Sequence, residues 1–316
     1  MLVENQYQIV NGLVSVIIPI YGSFDIRRAV LAIASIKNQK DVDIEIVVSE
    51  QGEFPRIGNV LPIDVKYVFN KHVQSRELSN FNPGLIRNIA IAKSSGEFVY
   101  TNDADILFCN TRFIANSIAL LKKHKKLVLH RPQMRRVPLD NFDLFLRYYS
   151  ERGIIKALSY LDKSQDFLAT IDSKYRTLKV VKKQGDYYEK TFTTAIEDFD
   201  KYLSDPFLIG REPMIWSEDL HCGGNLFRKE HFYQVGRYCE NFVNWGCEDS
   251  DLQWKMTAYY DLQFFPKTEK FEVLHLDHSK DYFSSSMWNL NEEICAKRKT
   301  AGVDCAIKKD REKQSQ

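Results

Sequence analysis

The sequence has almost no charge imbalance: 44 Lys and Arg stand against 42 Asp and Glu in 316 residues, a net charge of +2. That balance is not the basic signature of a nucleic-acid-binding domain, so no nucleic-acid partner is expected. No apolar stretch approaches the ~20 residues that a membrane-spanning helix needs. The first residues, Met1-Leu2-Val3-Glu4-Asn5-Gln6, lack the basic start and apolar run of an export signal. The cysteines, at 109, 222, 239, 247, 295 and 305, form no CxxC pair and no zinc-ligand spacing. These absences lead to the expectation of a soluble chain whose thiols stay reduced in a cytoplasm. There is also no GxGxxG after the first apolar run and no GxxxxGK[ST] anywhere. The glycine-cradle solutions to phosphate binding are therefore disfavoured, and a nucleotide diphosphate would need metal and side chains to meet its charge.

What is present is ordinary globular composition, 44% hydrophobic and 27% charged, enough for one large α/β domain or two small ones. Leu13 to Tyr21 is a nearly continuous apolar run, as in a strand covered on both faces. Pro19 within it must end the pairing or sit where the ladder is already finished. Apolar residues at helical spacing predict a helix from Asp25 to Asn38. Strands are predicted at Ile44–Glu50, Val65–Phe69 and Phe98–Thr101, with a helix opened by Asn82-Pro83-Gly84 and closed after Ala92. Strands alternating with helices predict a parallel α/β sheet, which binds ligands beyond the carboxyl ends of its strands. Tyr21, Glu50, Asp103 and Asp105 all fall there.

Asn102-Asp103-Ala104-Asp105 ends the last of these strands. In extended geometry the two acids point the same way, and like charges side by side need neutralising. Mg²⁺ or Mn²⁺ does this well; an Asx-type turn is the other reading. From His130 to Trp216 the pattern changes. Helices are predicted over 140–149, 154–168 and 192–203, a helical insert beside the sheet. Further on, His221-Cys222-Gly223-Gly224-Asn225 precedes a predicted helix at 228–235, and Trp245-Gly246-Cys247-Glu248-Asp249-Ser250-Asp251 opens another. Acids in a first turn answer the helix dipole, but an indole directly before them also suits a sugar ring. Phe271 to His278 predicts a strand carrying His275 and His278, which face opposite sides unless the strand turns. The tail from 297 is polar and basic, read as a frayed, solvated end or a weak contact with an anionic membrane.

With these residues assembled, the chain resembles nucleotide-sugar glycosyltransferases of the GT-A fold, family-2-like, over about 13–109 and 218–280. Val16 to Tyr21 resembles the family's first strand, which implies that Pro19 and Tyr21 lie at the nucleotide. Glu50 takes the place of an acid that contacts the base or ribose. Gly84-Leu85-Ile86-Arg87-Asn88-Ile89-Ala90 resembles the "ARN-G-I" helix, with Ile86 for alanine, and places Arg87 at the donor. Asn102 to Asp105 matches the DxD motif, which implies metal binding by Asp105 with Asp103. Gly223-Gly224 through Asp249 is similar to the galactosyltransferase-type "GG…WGxED" half. That resemblance implies Asp249 as catalytic base beside Glu248, Gly224 and Trp245 shaping the donor pocket, and His278 or His275 completing the metal site.

The implied domains are 1–130 (nucleotide-sugar-binding), 131–216 (insert), 217–290 (acceptor and catalytic) and 291–316 (basic tail). The implied activity is Mn²⁺- or Mg²⁺-dependent, inverting transfer of a hexosyl or N-acetylhexosaminyl group from a UDP-sugar. Its acceptor would be a glycan, lipid-linked or protein hydroxyl, in cell-surface polysaccharide or glycoconjugate synthesis, with peripheral membrane association. A nucleotidyltransferase acting on a sugar phosphate and an inactive GT-A-like binding protein are the alternatives.

Overall fold

The computed structural model describes residues 9–22, 24–71, 81–137, 142–143, 146, 167–172, 177–184, 187–195, 215–278 and 284–312. The first half runs β1 (Val10–Tyr21), α1 (Ile26–Lys37), β2 (Ile44–Gly52), β3 (Lys66–Lys71), α2 (Pro83–Lys93) and β4 (Gly96–Thr101). It continues with β5 (Ile106–Phe108), α3 (Phe113–Leu121), β6 (Leu127–His130) and β7 (Gln133–Val137). Then come β8 (Phe167–Asp172), β9 (Thr177–Gln184), β10 (Tyr187–Ala195), β11 (Ile215–Leu220) and β12 (Asn225–Arg228). The remainder is α4 (Lys229–Gln234), α5 (Glu248–Thr257), β13 (Asp261–Phe264), β14 (Glu272–Leu276), α6 (Ser285–Ala301) and α7 (Val303–Glu312).

Among the described residues, seven strands form one sheet in the order β13-β6-β12-β4-β1-β2-β3. Only β12 runs against its neighbours β4 and β6; β1, β2, β3 and β4 are mutually parallel. The α/β class and the mostly parallel, helix-flanked sheet expected from the sequence are the ones observed. Alternation along the strands builds two cores. Val14, Val16, Ile18, Val48, Phe98 and Tyr100 face one way, while Ile17, Val47, Val99, Val128 and Phe227 face the other. Each such side chain, removed from water, stabilises by about 1.5–3 kcal/mol. Among the described residues no helix is long and apolar enough to cross a membrane.

Pro19 lies inside β1, opposite Ser49 of β2. Val14 turns its N–H to the β2 side, so by the two-residue period Pro19 faces β4. Pairing with β4 ends at Ile17↔Thr101, so the missing N–H falls where the ladder is already finished. Beyond that point the chain leaves β4 and enters a second sheet, ordered β10-β9-β8-β11-β7-β14-β5.

Two expectations need correction. The described part of the insert is only partly helical: Phe142, Asp143 and Leu146 lie in helix, within the stretch predicted over 140–149, but β8, β9 and β10 form an antiparallel meander, with β10 covering the start of the helix predicted over 192–203. Val, Thr, Tyr and Phe dominate these segments, and only Gly185-Asp186 separates β9 from β10, a combination that favours a hairpin over a helix. The predicted helix at 154–168 falls almost wholly outside the described residues. Nor is the tail frayed through residue 312. Helices α6 and α7 pack back on α5, where Arg298 binds both Asp251 oxygens at 2.7 and 3.0 Å and also Asp310. Lys255, buried, completes the group with Asp310 at 2.6 Å. A basic composition reads as solvated only when its acidic partners, here Asp251 and Asp310, are not recognised.

Candidate active site

The site begins where β4 stops. Thr101 is the last strand residue, and Asn102 to Asp105 turn out of the sheet. Asn102 is fully buried and donates its amide to the carbonyls of Asp103 and Ile106 at 3.0 and 2.9 Å, while Ile106 N–H closes on Asp103 O at 3.2 Å. Extended geometry therefore does not persist, and the two acids of the motif acquire separate partners.

Asp105 is buried and meets two imidazoles. His278 Nε2 lies 2.8 Å and His275 Nε2 3.4 Å from its Oδ2. The strand β14 ends at Leu276, so the chain is free to turn and bring both rings to one carboxylate. Arg28 of α1 fixes that turn: its guanidinium donates to the carbonyls of Leu276 and Asp277 at 3.3, 3.1 and 2.7 Å. His275 Nδ1 is held in turn by Asp277 Oδ1 at 2.7 Å. Potential ligand atoms of Asp105, His275 and His278 all lie within 4.8 Å of one another. Burial opposes charge on Asp105, but His275 and His278 outweigh it and hold the carboxyl well below its ordinary range. Its other oxygen, Oδ1, is buried without a hydrogen-bond partner. An unpaired carboxylate oxygen beside two imidazoles is a donor set that fits a divalent cation such as Mn²⁺. Asp103 falls outside this group.

Asp103 faces Arg87 instead. Helix α2 is capped by Asn82, whose side chain accepts from Leu85 N–H at 2.8 Å, and has Pro83 at its start, as its sequence requires. Gly84 is needed there because a Cβ would stand 2.7 Å from Cys239 O. One turn on, buried Arg87 reaches Asp103 Oδ1 at 2.7 Å, Glu248 Oε1 at 3.0 Å and Asp249 Oδ2 at 3.7 Å. His221 Nε2 holds the other Asp103 oxygen at 2.8 Å. Burial disfavours charge on Asp103 as well, and His221 with Arg87 outweighs it, lowering the carboxyl.

Glu248 and Asp249 occupy the first turn of α5. Tyr238 donates its hydroxyl to Asp249 Oδ1 at 3.0 Å, and Asn225 its amide to the same oxygen at 3.4 Å. Asn225 is itself oriented by Gln253, which donates to its Oδ1 at 2.8 Å. Burial, with Glu248 and Asp103 adding to it against the pull of Arg87, pushes the Asp249 carboxyl up to about 8. A carboxyl that titrates near neutrality is suited to proton transfer.

The other residues singled out by sequence lie around this centre. A Cβ on Gly223 would meet Asp103 Oδ2 at 2.7 Å, and one on Gly224 would meet Pro132 at 2.6 Å, so the pair lets the turn pass under Asp103. Tyr21 ends β1 with its ring against Phe81, centroids 5.2 Å apart. Glu50 is buried at the end of β2, where its oxygens accept from the N–H groups of Arg56 and Ile57 at 3.1–3.2 Å and from the Tyr67 hydroxyl. It thereby ties down the loop beyond β2. Trp245 is 47% exposed, just before Glu248 and Asp249.

The structure brings Arg87, Asp103, Glu248 and Asp249 into one cluster and Asp105, His275 and His278 into the adjoining one. It adds His221, Tyr238, Asn225 and Arg28. His221 carried a signal, since it opens the turn containing both glycines. Arg28 carried none, because its partners are carbonyl groups almost 250 residues away.

No protein-family model matches the chain. An uncharacterized glycosyltransferase of Rickettsia bellii is 32% identical over 99 residues, 31% of this chain and 14% of that protein. A chondroitin synthase of Escherichia coli is 21% identical over 252 residues, 78% of this chain and 32% of that one. The chain thus spans a third or less of the length of these curated relatives. Among solved structures, S. aureus TarS 1-349 in complex with UDP-GlcNAc aligns over 86% of this chain and 60% of its own, with 14% identity and a TM-score of 0.47. The mannosyltransferase PcManGT of Pyrobaculum calidifontis, with GDP-Man and Mn²⁺, aligns over 88% and 60%, with 14% identity and a TM-score of 0.46.

Proposed function

We propose that the chain is a metal-dependent glycosyltransferase of the GT-A type, transferring a hexosyl or N-acetylhexosaminyl group from a UDP-sugar to a hydroxyl acceptor with inversion. The carrying observation is the pairing of two clusters: Asp105 with His275 and His278 next to Arg87 with Asp103, Glu248 and Asp249. The glycosyltransferase and synthase names of the two curated relatives support the reading.

Asp105, His275 and His278 would hold Mn²⁺ or Mg²⁺, which as a Lewis acid neutralises charge growing on a diphosphate leaving group. The protein's own residues do the rest. Trp245, which the resemblance puts with Gly224 in the donor pocket, is assigned to the acceptor sugar because its indole is exposed directly before Glu248 and Asp249. Asp249, held by Tyr238 and Asn225, takes the proton of the attacking hydroxyl. The hydroxyl oxygen bonds to the anomeric carbon as the bond to the β-phosphate oxygen breaks, and the nucleoside diphosphate leaves on the opposite face. Arg87 fixes Glu248 and Asp103 in place, and with His221 it lowers the Asp103 carboxyl, while the Asp249 carboxyl is the one pushed up toward neutrality. On this reading the acceptor belongs to a surface glycan or glycoconjugate, and the chain acts in the cytoplasm at the membrane face.

The test is release of nucleoside diphosphate from UDP-, GDP- and TDP-sugars, with Mn²⁺ and with EDTA, accompanied by calorimetric binding of UDP. Metal-dependent hydrolysis of one UDP-sugar, lost in Asp105→Ala, is expected. Failure of UDP to bind in the presence of Mn²⁺ would refute the donor site.

A further inference from the structure

The segment Val243 to Gly246 has no regular secondary structure, yet buried polar groups hold it at several points. Asn291 of α6 is completely buried. Its amide donates to the carbonyls of Val243, Trp245 and Gly246 at 2.8, 3.3 and 3.3 Å, and its Oδ1 accepts from Val243 N–H at 3.2 Å. Asn244, at φ 61°, donates its N–H to Phe81 O at 2.6 Å. One turn before Asn291, Trp288 packs behind the loop. Its ring centroid is 5.3 Å from that of Trp245, with the planes 32° apart. Gly246 has φ +107°, and a Cβ there would run into the ring of Trp288.

Core packing alone does not account for this arrangement. Trp288 is half buried and Trp245 is 47% exposed, so the buried bonds serve to fix an indole whose outer face stays in water. Ordering a large side chain that remains exposed costs entropy which a ligand then need not lose on binding. Glu248 and Asp249 follow Trp245 within four residues, so the fixed loop leads directly into the turn that carries the proposed base.

We propose that Trp288 and Asn291, on a helix outside the two stretches that carry the sequence resemblance, are positioning residues for acceptor binding: they set the angle of Trp245, and the group seated there is a pyranose ring. This rests on the transferase reading, and it deepens that reading by assigning part of acceptor recognition to α6. Removing the ring of Trp288 takes away its contact with Trp245 and opens space beside Gly246, while the contacts of Asp105, His275 and His278 are untouched. The loss expected is that of one aromatic contact, about three- to tenfold in affinity.

The probes are methyl β-D-glucopyranoside, methyl β-D-galactopyranoside and their 2-acetamido forms, titrated by saturation-transfer NMR against wild type, Trp288→Ala and Trp288→Phe. UDP with Mn²⁺ is titrated by calorimetry on the same samples. The expected result is weakening of glycoside binding in Trp288→Ala, recovery to within about twofold in Trp288→Phe, and UDP affinity unchanged within about twofold. Unchanged glycoside binding in Trp288→Ala overturns the proposal. So does parallel loss of glycoside and UDP binding that Phe does not restore, since that marks a general structural role. Absence of glycoside binding in wild type overturns the seat itself, while UDP binding and donor hydrolysis separately decide the transferase reading.

Discussion

Replacing Asp249 by Asn should make the protein more stable and abolish its activity, two effects in opposite directions from one atom. The Asp249 carboxyl is buried among Glu248 and Asp103, and is pushed from its ordinary 3.8 to about 8. The folded state therefore holds a proton that the unfolded chain has lost between about pH 4 and pH 8, so stability falls as pH rises through that window. At 1.36 kcal/mol per pH unit, the ceiling at pH 7 is about 4 kcal/mol. Water entry and the high effective dielectric of protein sites reduce the expected gain to about 2–4 kcal/mol. Asn can still accept from Tyr238 at the position of Oδ1, so no buried donor is orphaned. For a chain of this size the gain corresponds to a melting-temperature rise of about 3–6 °C, measured by calorimetry in EDTA without nucleotide. The difference should be smaller at pH 5 than at pH 8, where wild type has lost most. Transfer should fall on the order of 10²–10⁴. Equal or lower stability of Asp249→Asn at pH 8, or a pH-independent difference, would refute the electrostatic account of the site.

Other expectations follow from the same geometry. Mn²⁺ should raise the melting temperature of wild type but not of Asp105→Asn or His278→Ala, and metal-dependent UDP affinity should be lost in both. Arg298→Ala takes the guanidinium away from buried Asp251 and Asp310, both of which also meet Lys255, so urea unfolding should show a loss of about 3–5 kcal/mol. Gly246→Ala places a methyl against Trp288 at a left-handed φ; acceptor-dependent turnover should fall while donor hydrolysis persists, whereas unchanged turnover would mean the loop tolerates displacement.

The parallel sheet was legible because its strands are covered on both faces, so Val14 to Ile20 and Ile46 to Val48 read as apolar runs with helical periods between them. The carboxylates were legible because each sits at an element end: Asp105 after β4, Glu248 and Asp249 opening α5. What escaped was set by distant partners. The joint capture of Asp105 by His275 and His278 depends on Arg28 holding the turn after Leu276. Strand β12, which completes the sheet between β4 and β6, is only four residues long and follows a glycine pair that masks it. The helices α6 and α7 were missed because their lysines and arginines read as solvent-facing, while Asn291 and Arg298 among them point inward. Local pattern gives the element; tertiary burial gives the role.

The passage from β4 into β5 takes four residues, Asn102 to Asp105, and those two strands belong to different sheets. Asp103 and Asp105 therefore stand at a seam between two independently hydrogen-bonded frameworks. Their separation gauges how the sheets meet, and the doubly bonded amide of Asn102 acts as the rivet at that seam. A substitution remote from both acids, in either sheet, need only shift the seam by a fraction of an ångström to detune the carboxylates. Random mutagenesis should accordingly find activity losses along β5 and β14 that leave the melting temperature intact.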